Sequence, residues 1–148
     1  MRPDLELVAG LVGRDVRVLD LGCGDGALLA HLIVEQGCAG HGIEHSEEGF
    51  HACVARGVPV SQRDLEDELA HLGSGEFDCA VLSLTLPAMR RPAQVLAEMA
   101  RVAPRRVVSL PNFGHWRLRA ELALRDPDAA QPVAPYRWYR HPTSTSAR

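Results

Sequence analysis

Three glycines near the start of this 148-residue chain have the spacing of a turn that meets a ligand. Gly22, Gly24 and Gly26 alternate with single residues, directly after a short apolar run. Glycine lets the backbone adopt positive φ angles and lets a ligand approach the main chain closely. The first N–H groups of a following helix lack partners and favour polar or anionic groups. The pattern therefore predicts a turn that binds the polar part of a ligand.

An acidic residue, Glu44, follows the glycine turn by about 20 residues, the distance at which nucleotide-binding α/β folds place the acid that binds ribose hydroxyls. A carboxylate suits this role because its two oxygens can accept both hydroxyl protons. The alternative is an ordinary solvated acid at the end of a strand. The glycine turn upstream favours the ribose role.

The pattern of apolar residues predicts an α/β fold, in which the first apolar run is suited to a buried parallel strand. Short apolar runs of strand type alternate with amphipathic helical segments. The predicted strands are 16–21, 39–43, 58–62, 77–82 and 104–110, and the predicted helices are 2–12, 27–36, one capped by Ser46 that runs to about residue 56, and one that begins at Pro92.

The fourth predicted strand delivers Ser83 and Thr85 to the carboxyl edge of the sheet, where ligands bind in such folds. Thr85 has two equally supported interpretations. It borders the ligand, or it turns the chain before Pro87. The acidic run 66–68 is interpreted as a solvated face.

The spacing D-x-G-x-G-x-G, from Asp20 to Gly26, differs from the G-x-G-x-x-G pattern of dinucleotide sites and resembles motif I of the class I S-adenosylmethionine-dependent methyltransferases. The resemblance implies an open, doubly wound, mainly parallel sheet in the strand order 3-2-1-4-5, with helices on both faces. It also implies a glycine loop beside the amino-acid end of the cofactor, with Asp20 helping to fix it. It also implies that Asp64 and Leu65 line the adenine, with the acid near its exocyclic amine. The implied cofactor-binding residues are Asp20, Gly22, Cys23, Gly24, Gly26, Glu44, Asp64, Leu65 and Ser83.

A more specific resemblance comes from the segment P-N-F-G-H-W-R at 111–117, together with LDLGCGDG, LSLTLPAMRRP and the Tyr-x-Trp-Tyr pattern at 136–139. These segments resemble the methionine biosynthesis protein MetW family. The resemblance runs from about Asp4 to Tyr139, which implies a methyltransferase-like domain over 1–139. Residues 140–148 have the composition of a disordered tail.

The chain offers five predicted strands, whereas a class I methyltransferase sheet has seven. We therefore expect the final two strands to be lacking, either in a shortened member of the family or because the natural sequence is truncated or shifted in frame. The fifth strand would then be an exposed edge, which invites pairing with a second copy or with a partner.

The resemblance implies a methyltransferase that uses S-adenosylmethionine and acts on a small molecule in methionine biosynthesis. MetW relatives are linked to that pathway beside a homoserine O-acyltransferase. The alternative is therefore an accessory or S-adenosylmethionine-sensing protein that supports this acyltransferase without transferring a methyl group. A third interpretation is that the shortened chain binds nothing.

Two residues after the fifth strand are candidates for catalysis. His115 is the best candidate for a general base, and Asn112 could orient an acceptor. The favoured alternative is structural, with Asn112 capping a helix that begins at Gly114 and His115 packing in its first turn. A single histidine in such a turn is no catalytic constellation.

The bulk composition narrows the class of protein. The chain has 46% hydrophobic residues, a net charge of −3 and a pI near 6.1, so nucleic-acid binding has no electrostatic support. It shows no apolar run of membrane length and no signal-peptide pattern, which predicts a cytoplasmic protein. Four cysteines without a C-x-x-C pair are interpreted as reduced thiols, and no metal site is expected from them or from His41, His45 and His51.

Overall fold

The computed structural model describes residues 2–110, which are built around a five-stranded sheet. Its strands are β1 (Arg17–Leu21), β2 (Ala39–Glu44), β3 (Val60–Gln62), β4 (Cys79–Ser83) and β5 (Arg105–Ser109). Their order is β3-β2-β1-β4-β5, and all neighbouring pairs are parallel. The predicted open parallel sheet and its strand order are confirmed. The predicted lack of two further strands concerns residues outside this range.

The helices are α1 (Pro3–Val12), α2 (Ala27–Gln36), α3 (Glu47–Ala55), α4 (Leu65–Glu68) and α5 (Pro92–Val102), with 3₁₀ turns at Leu69–His71 and Leu86–Ala88. Ser46 caps α3 as predicted, because its Oγ accepts a hydrogen bond of 3.1 Å from the Gly49 N–H. The short helix α4 and the two 3₁₀ turns were not predicted from the sequence.

The sheet divides the interior into two layers. Alternating side chains of β1 point to opposite sides, so Val18 packs with Val8 and Leu32 of α1 and α2. Leu19 packs on the other side with Met99 of α5. Both β1 side chains are fully buried, which explains why this strand is a continuous apolar run.

Within residues 2–110, β3 and β5 form the edges of the sheet. The β5 residue Val108, the following Leu110 and the α5 residue Leu96 keep 38%, 57% and 39% of their surfaces exposed. An edge strand with exposed apolar side chains can pair with another chain. Self-association through β5 and the domain boundary at residue 139 stay predictions.

Candidate functional site

The carboxyl ends of the strands enclose a cavity of about 360 Å³. The register aligns Leu21 with Ile43 and Leu82, so the segments that follow these strands leave the same edge of the sheet. The cavity is lined by Gly22, Ile43, Glu44, His45, Asp64, Leu65, Glu66, Thr85, Ala88, Met89 and Arg90. Four predicted site residues, Gly22, Glu44, Asp64 and Leu65, are therefore brought together.

A second depression, of about 500 Å³, lies among residues such as Arg17 and Ala39, which begin β1 and β2. Ligands of open α/β sheets bind outside the carboxyl ends of the strands. We therefore assign the candidate site to the smaller cavity.

The glycine loop has the backbone conformation that its sequence predicts. Gly22 has φ of +70°, and a Cβ placed there would lie 2.8 Å from the Thr85 side chain. Gly24 has φ of +57°, but no atom comes within 4 Å of a Cβ placed there. The loop is therefore tightly packed against the β4 side at Gly22 and open at Gly24, where a ligand could approach the main chain.

Glu44 is hydrogen-bonded to the glycine loop. Its Oε2 accepts a hydrogen bond of 2.8 Å from the Gly24 N–H. Its Oε1 accepts two hydrogen bonds, each of 2.8 Å, from the N–H and the hydroxyl of Ser46. These three donors fix the carboxylate at the rim of the cavity and leave lone pairs on it for further donors.

Asp20 lies at the end of β1 and is only 2% exposed. Burial, together with the negative charge of Glu44, raises the pKa of Asp20 to about 7. A buried carboxyl beside a second carboxylate favours binding of a positively charged group.

Cys23, also a predicted site residue, turns its side chain toward α3. Its Sγ lies 3.6 Å from Cys53 Sγ. The Cys53 thiol also donates a hydrogen bond of 3.2 Å to the carbonyl of Gly24. Burial raises the pKa of both thiols. The Cys23 side chain therefore packs the loop onto the fold. The four cysteines all lie in the described range and carry free thiols.

Asp64 and Glu66 form the wall of the cavity at α4. Asp64 caps this helix, with Oδ1 accepting 2.9 Å from the Glu66 N–H. Glu66 is 8% exposed, so the interpretation of 66–68 as a solvated acidic face is wrong for this residue. Burial alone would raise the pKa of Glu66, but hydrogen bonds from Arg91 and from the Arg90 and Arg91 N–H groups lower it. These arginines compensate for the buried charge, and their partnership was not visible in the local pattern.

The segment after β4 forms the opposite wall. Ser83 Oγ lies 2.9 Å from Ser109 Oγ of β5, and Ser83 is not among the residues lining the cavity. Thr85 does line it and begins a 3₁₀ turn, while its hydroxyl donates 2.9 Å to the Ser83 carbonyl. Thr85 therefore turns the chain before Pro87, and that it also borders a ligand stays a prediction.

Sequence reasoning did not assign His45, Glu66, Met89 and Arg90 to the site. His45 directly follows Glu44, and this position next to a predicted site residue could have indicated that it lines the site. Met89 and Arg90 belong to LSLTLPAMRRP, which pointed to the family and not to a site. The catalytic candidates Asn112 and His115 lie outside the described residues.

Two further observations concern residues 2–110 alone. No three side chains among their histidines, cysteines, aspartates and glutamates come together in a way that could hold a metal ion. None of the helices there combines the length and hydropathy needed to span a membrane.

Comparison with solved structures places this fold in a class. A methyltransferase dependent on S-adenosylmethionine from Thermotoga maritima, described as a possible histamine N-methyltransferase, matches 85% of this chain and 58% of its own, with a TM-score of 0.67 and 22% identity. Another such methyltransferase, from Archaeoglobus fulgidus, matches 88% of this chain and 63% of its own, with a TM-score of 0.65 and 23% identity. The parallel sheet in the order β3-β2-β1-β4-β5 is thus the class I methyltransferase fold.

Sequence comparison then gives the family. The family described as methionine biosynthesis protein MetW matches residues 2–145, and the chain belongs to this family. A bifunctional methionine biosynthesis protein MetXA/MetW from Rhodopirellula baltica is 33% identical over 124 residues, which cover 78% of this chain and 20% of that protein. The chain therefore spans about a fifth of the length of this relative.

Proposed function

We propose that this chain binds S-adenosylmethionine in the cavity at the carboxyl edge of the sheet and transfers its methyl group to a small molecule. Asp20 carries the proposal. It is a buried carboxyl, and the negative charge of Glu44 lies near enough to raise its pKa. The ammonium and sulfonium groups of the cofactor are cations, and a cation beside Asp20 stabilises its ionised form.

The other residues of the cavity fit the remaining parts of the cofactor. The space beside Gly24 admits a ligand to the glycine loop. Glu44 has lone pairs left for ribose hydroxyls, since Gly24 and Ser46 occupy only some of them. Asp64 and Leu65 share the cavity with Glu44, as the resemblance implies for residues that line adenine.

S-adenosylmethionine, when bound, supplies a methyl group that its sulfonium has already activated. The protein's part is then mainly to orient the reactants and exclude water. Thr85, which lines the cavity against Gly22, is proposed to border both the cofactor and the acceptor. His115 as a base and Asn112 as an acceptor-orienting residue complete the proposal.

Replacement of Glu44 tests the binding of the cofactor. Glu44→Ala is expected to weaken S-adenosylmethionine binding by about tenfold or more, because hydrogen bonds to a charged acceptor each contribute roughly 1.5–3 kcal/mol. Calorimetric titration measures the affinity. Glu48→Ala, which removes an exposed acid from the first turn of α3, is the matched control and should bind as the wild type does. Equal binding by wild type and Glu44→Ala, or binding by neither, contradicts the cofactor assignment.

A second candidate function is favoured by the bifunctional relative, whose name joins MetXA and MetW. In this function the chain is an accessory or S-adenosylmethionine-sensing subunit that supports homoserine O-acyltransferase, the neighbour that the family resemblance implies. Cofactor binding is shared by both candidates, so the partner distinguishes them.

The accessory function predicts a complex. The acyltransferase should be retained by the immobilised full chain, and its rate should change when the chain and S-adenosylmethionine are added together. Retention and a changed rate, without methyl transfer to any small molecule, support the accessory function. The opposite pattern supports the methyltransferase.

Light scattering of the chain alone at high concentration tests self-association through β5, which a strictly monomeric mass would contradict.

A further inference from the structure

We propose that Arg90 determines specificity in the cavity by positioning the Asp64 carboxylate for a purine nucleoside that carries an exocyclic amino group. This assignment rests on the proposed binding of S-adenosylmethionine and adds to it the device that selects the base. Arg90 acts through Asp64, so it is a positioning residue and not a catalytic one.

Three hydrogen bonds join Asp64, Glu66 and Arg90 in a closed ring. The Glu66 N–H donates 2.9 Å to Asp64 Oδ1, and Arg90 Nη2 donates 3.1 Å to Asp64 Oδ2. The Arg90 N–H donates 2.6 Å to Glu66 Oε1, which closes the ring. All three residues line the cavity. Each oxygen of Asp64 is therefore oriented by its own donor.

The sheet itself does not hold the two sides of this ring together. Asp64 follows β3 and Arg90 lies beyond β4, and β2 and β1 separate these strands. Three strand spacings amount to about 14 Å. The two walls of the cavity therefore depend on contacts between side chains and loops, and the ring supplies the polar part of them.

Glu66 makes one side of the ring rigid. Its side chain is 5% exposed, and Oε2 accepts 3.0 Å from Arg91 Nε in addition to the Arg90 bond at Oε1. Arg91, at the N-terminus of α5, offers no side-chain cap of its own. The buried carboxylate instead lies beside that helix start, where the dipole favours an anion. The Arg90 backbone is thereby fixed, while its guanidinium reaches Asp64.

The hydrogen bonds of the ring leave Asp64 free to bind a ligand that donates a hydrogen bond. A carboxylate offers about four lone-pair sites, of which the ring occupies two. The remaining sites accept N–H donors, such as a 6-amino group on a purine. A 6-oxo group offers only lone pairs, so the carboxylate would repel it and lose its own hydration. Without Arg90, Asp64 Oδ2 loses its donor and is hydrated instead, while Oδ1 keeps the Glu66 N–H, and this discrimination falls.

Calorimetry with S-adenosylhomocysteine and S-inosylhomocysteine tests the assignment, since the second ligand has an oxo group in place of the 6-amino group and a proton on N1. We expect the full-length wild type to prefer the adenosyl ligand by about 100-fold or more. Arg90→Ala should lower this ratio by about threefold to fivefold, because the Arg90 and Asp64 side chains are 66% and 38% exposed and such pairs contribute at most about 1 kcal/mol. Arg90→Lys, which keeps a donor for Asp64, should retain most of the preference. Arg63→Ala removes an exposed charge from the segment after β3 and should leave the ratio unchanged.

Each outcome decides the matter. A lower ratio in Arg90→Ala but not in Arg63→Ala supports the assignment, because partial unfolding would lower the apparent affinity for both ligands by the same factor. An unchanged ratio overturns it, and so does an equal loss of affinity for both ligands, which is what a purely structural role would produce. Binding of neither ligand by the wild type overturns the proposed function, and this assignment with it.

Discussion

Asp20→Asn is expected to weaken S-adenosylmethionine binding by about 100-fold while making the ligand-free protein more stable. The loss of affinity follows because a buried charge partner of a cation is worth roughly 2–5 kcal/mol. The gain in stability follows because the carboxyl is almost fully buried and its pKa is raised from 3.8 to about 7. That shift corresponds to about 4 kcal/mol. Burial of the new amide offsets about 2 kcal/mol of it.

The stability difference has a defined pH dependence. Between pH 3.8 and about 7, the folded protein keeps a proton on Asp20 that the unfolded chain releases. Ionisation of Asp20 in the unfolded chain therefore lowers the free energy of unfolding progressively as pH rises through this window, and the loss is complete above about pH 7. The advantage of Asp20→Asn should grow across the same window and then remain constant.

Urea unfolding of wild type and variant at several pH values measures this difference, and titration calorimetry measures the affinity. Asp67→Asn removes a charge from an acid whose side chain is 69% exposed and is the matched control. It should change neither quantity beyond about 0.5 kcal/mol. A ligand-free Asp20→Asn protein that is less stable than the wild type at pH 8 would show that Asp20 has a partner in the folded chain.

Gly49→Ala is expected to be destabilising and to weaken cofactor binding by about tenfold, although alanine is the better helix former by about 1 kcal/mol. Gly49 is buried in the first turn of α3, directly against the site. A Cβ there would lie 2.9 Å from the Gly24 carbonyl oxygen and 2.9 Å from Glu44 Cγ. The helix must move away from the glycine loop to admit it, at a cost of about 1–3 kcal/mol.

Gly10→Ala is the matched control, since this glycine also lies within a helix. No atom comes within 4 Å of a Cβ placed at Gly10 in α1. That variant should gain about 0.5–1 kcal/mol from helix propensity and bind the cofactor unchanged. Thermal unfolding and calorimetry compare the two. If both glycine variants gain stability, α3 does not pack on the loop as described.

Local sequence patterns were sufficient to predict the strand, the turn and the helix cap that surround the site. The apolar run of β1, the glycines after it and the cap at Ser46 are each encoded within a few residues, so their structures could be predicted. The sheet order came from the resemblance, and the structure confirms it. Glu44 was assigned by its distance from the glycine turn, and the structure places it at the cavity with a bond to Gly24.

The far wall of the site could not be predicted in the same way. Glu66 and Arg91 are 25 residues apart, and Asp64 and Arg90 are 26 apart. An acidic run has the same local appearance whether or not one member is buried by a distant arginine. Ser83 shows the same limit, since its partner Ser109 belongs to β5. Polar contacts between distant segments leave no periodicity in the sequence.

The two buried thiols between the glycine loop and α3 allow the opening of the loop to be measured by chemical labelling. Cys23 and Cys53 lie 3.6 Å apart, and burial keeps both thiols protonated at neutral pH. A thiol reagent therefore reacts with them only in molecules whose loop has separated from α3. The rate of labelling at these two positions, read by peptide mass, reports how often the loop opens, and a ligand that holds the loop closed lowers that rate.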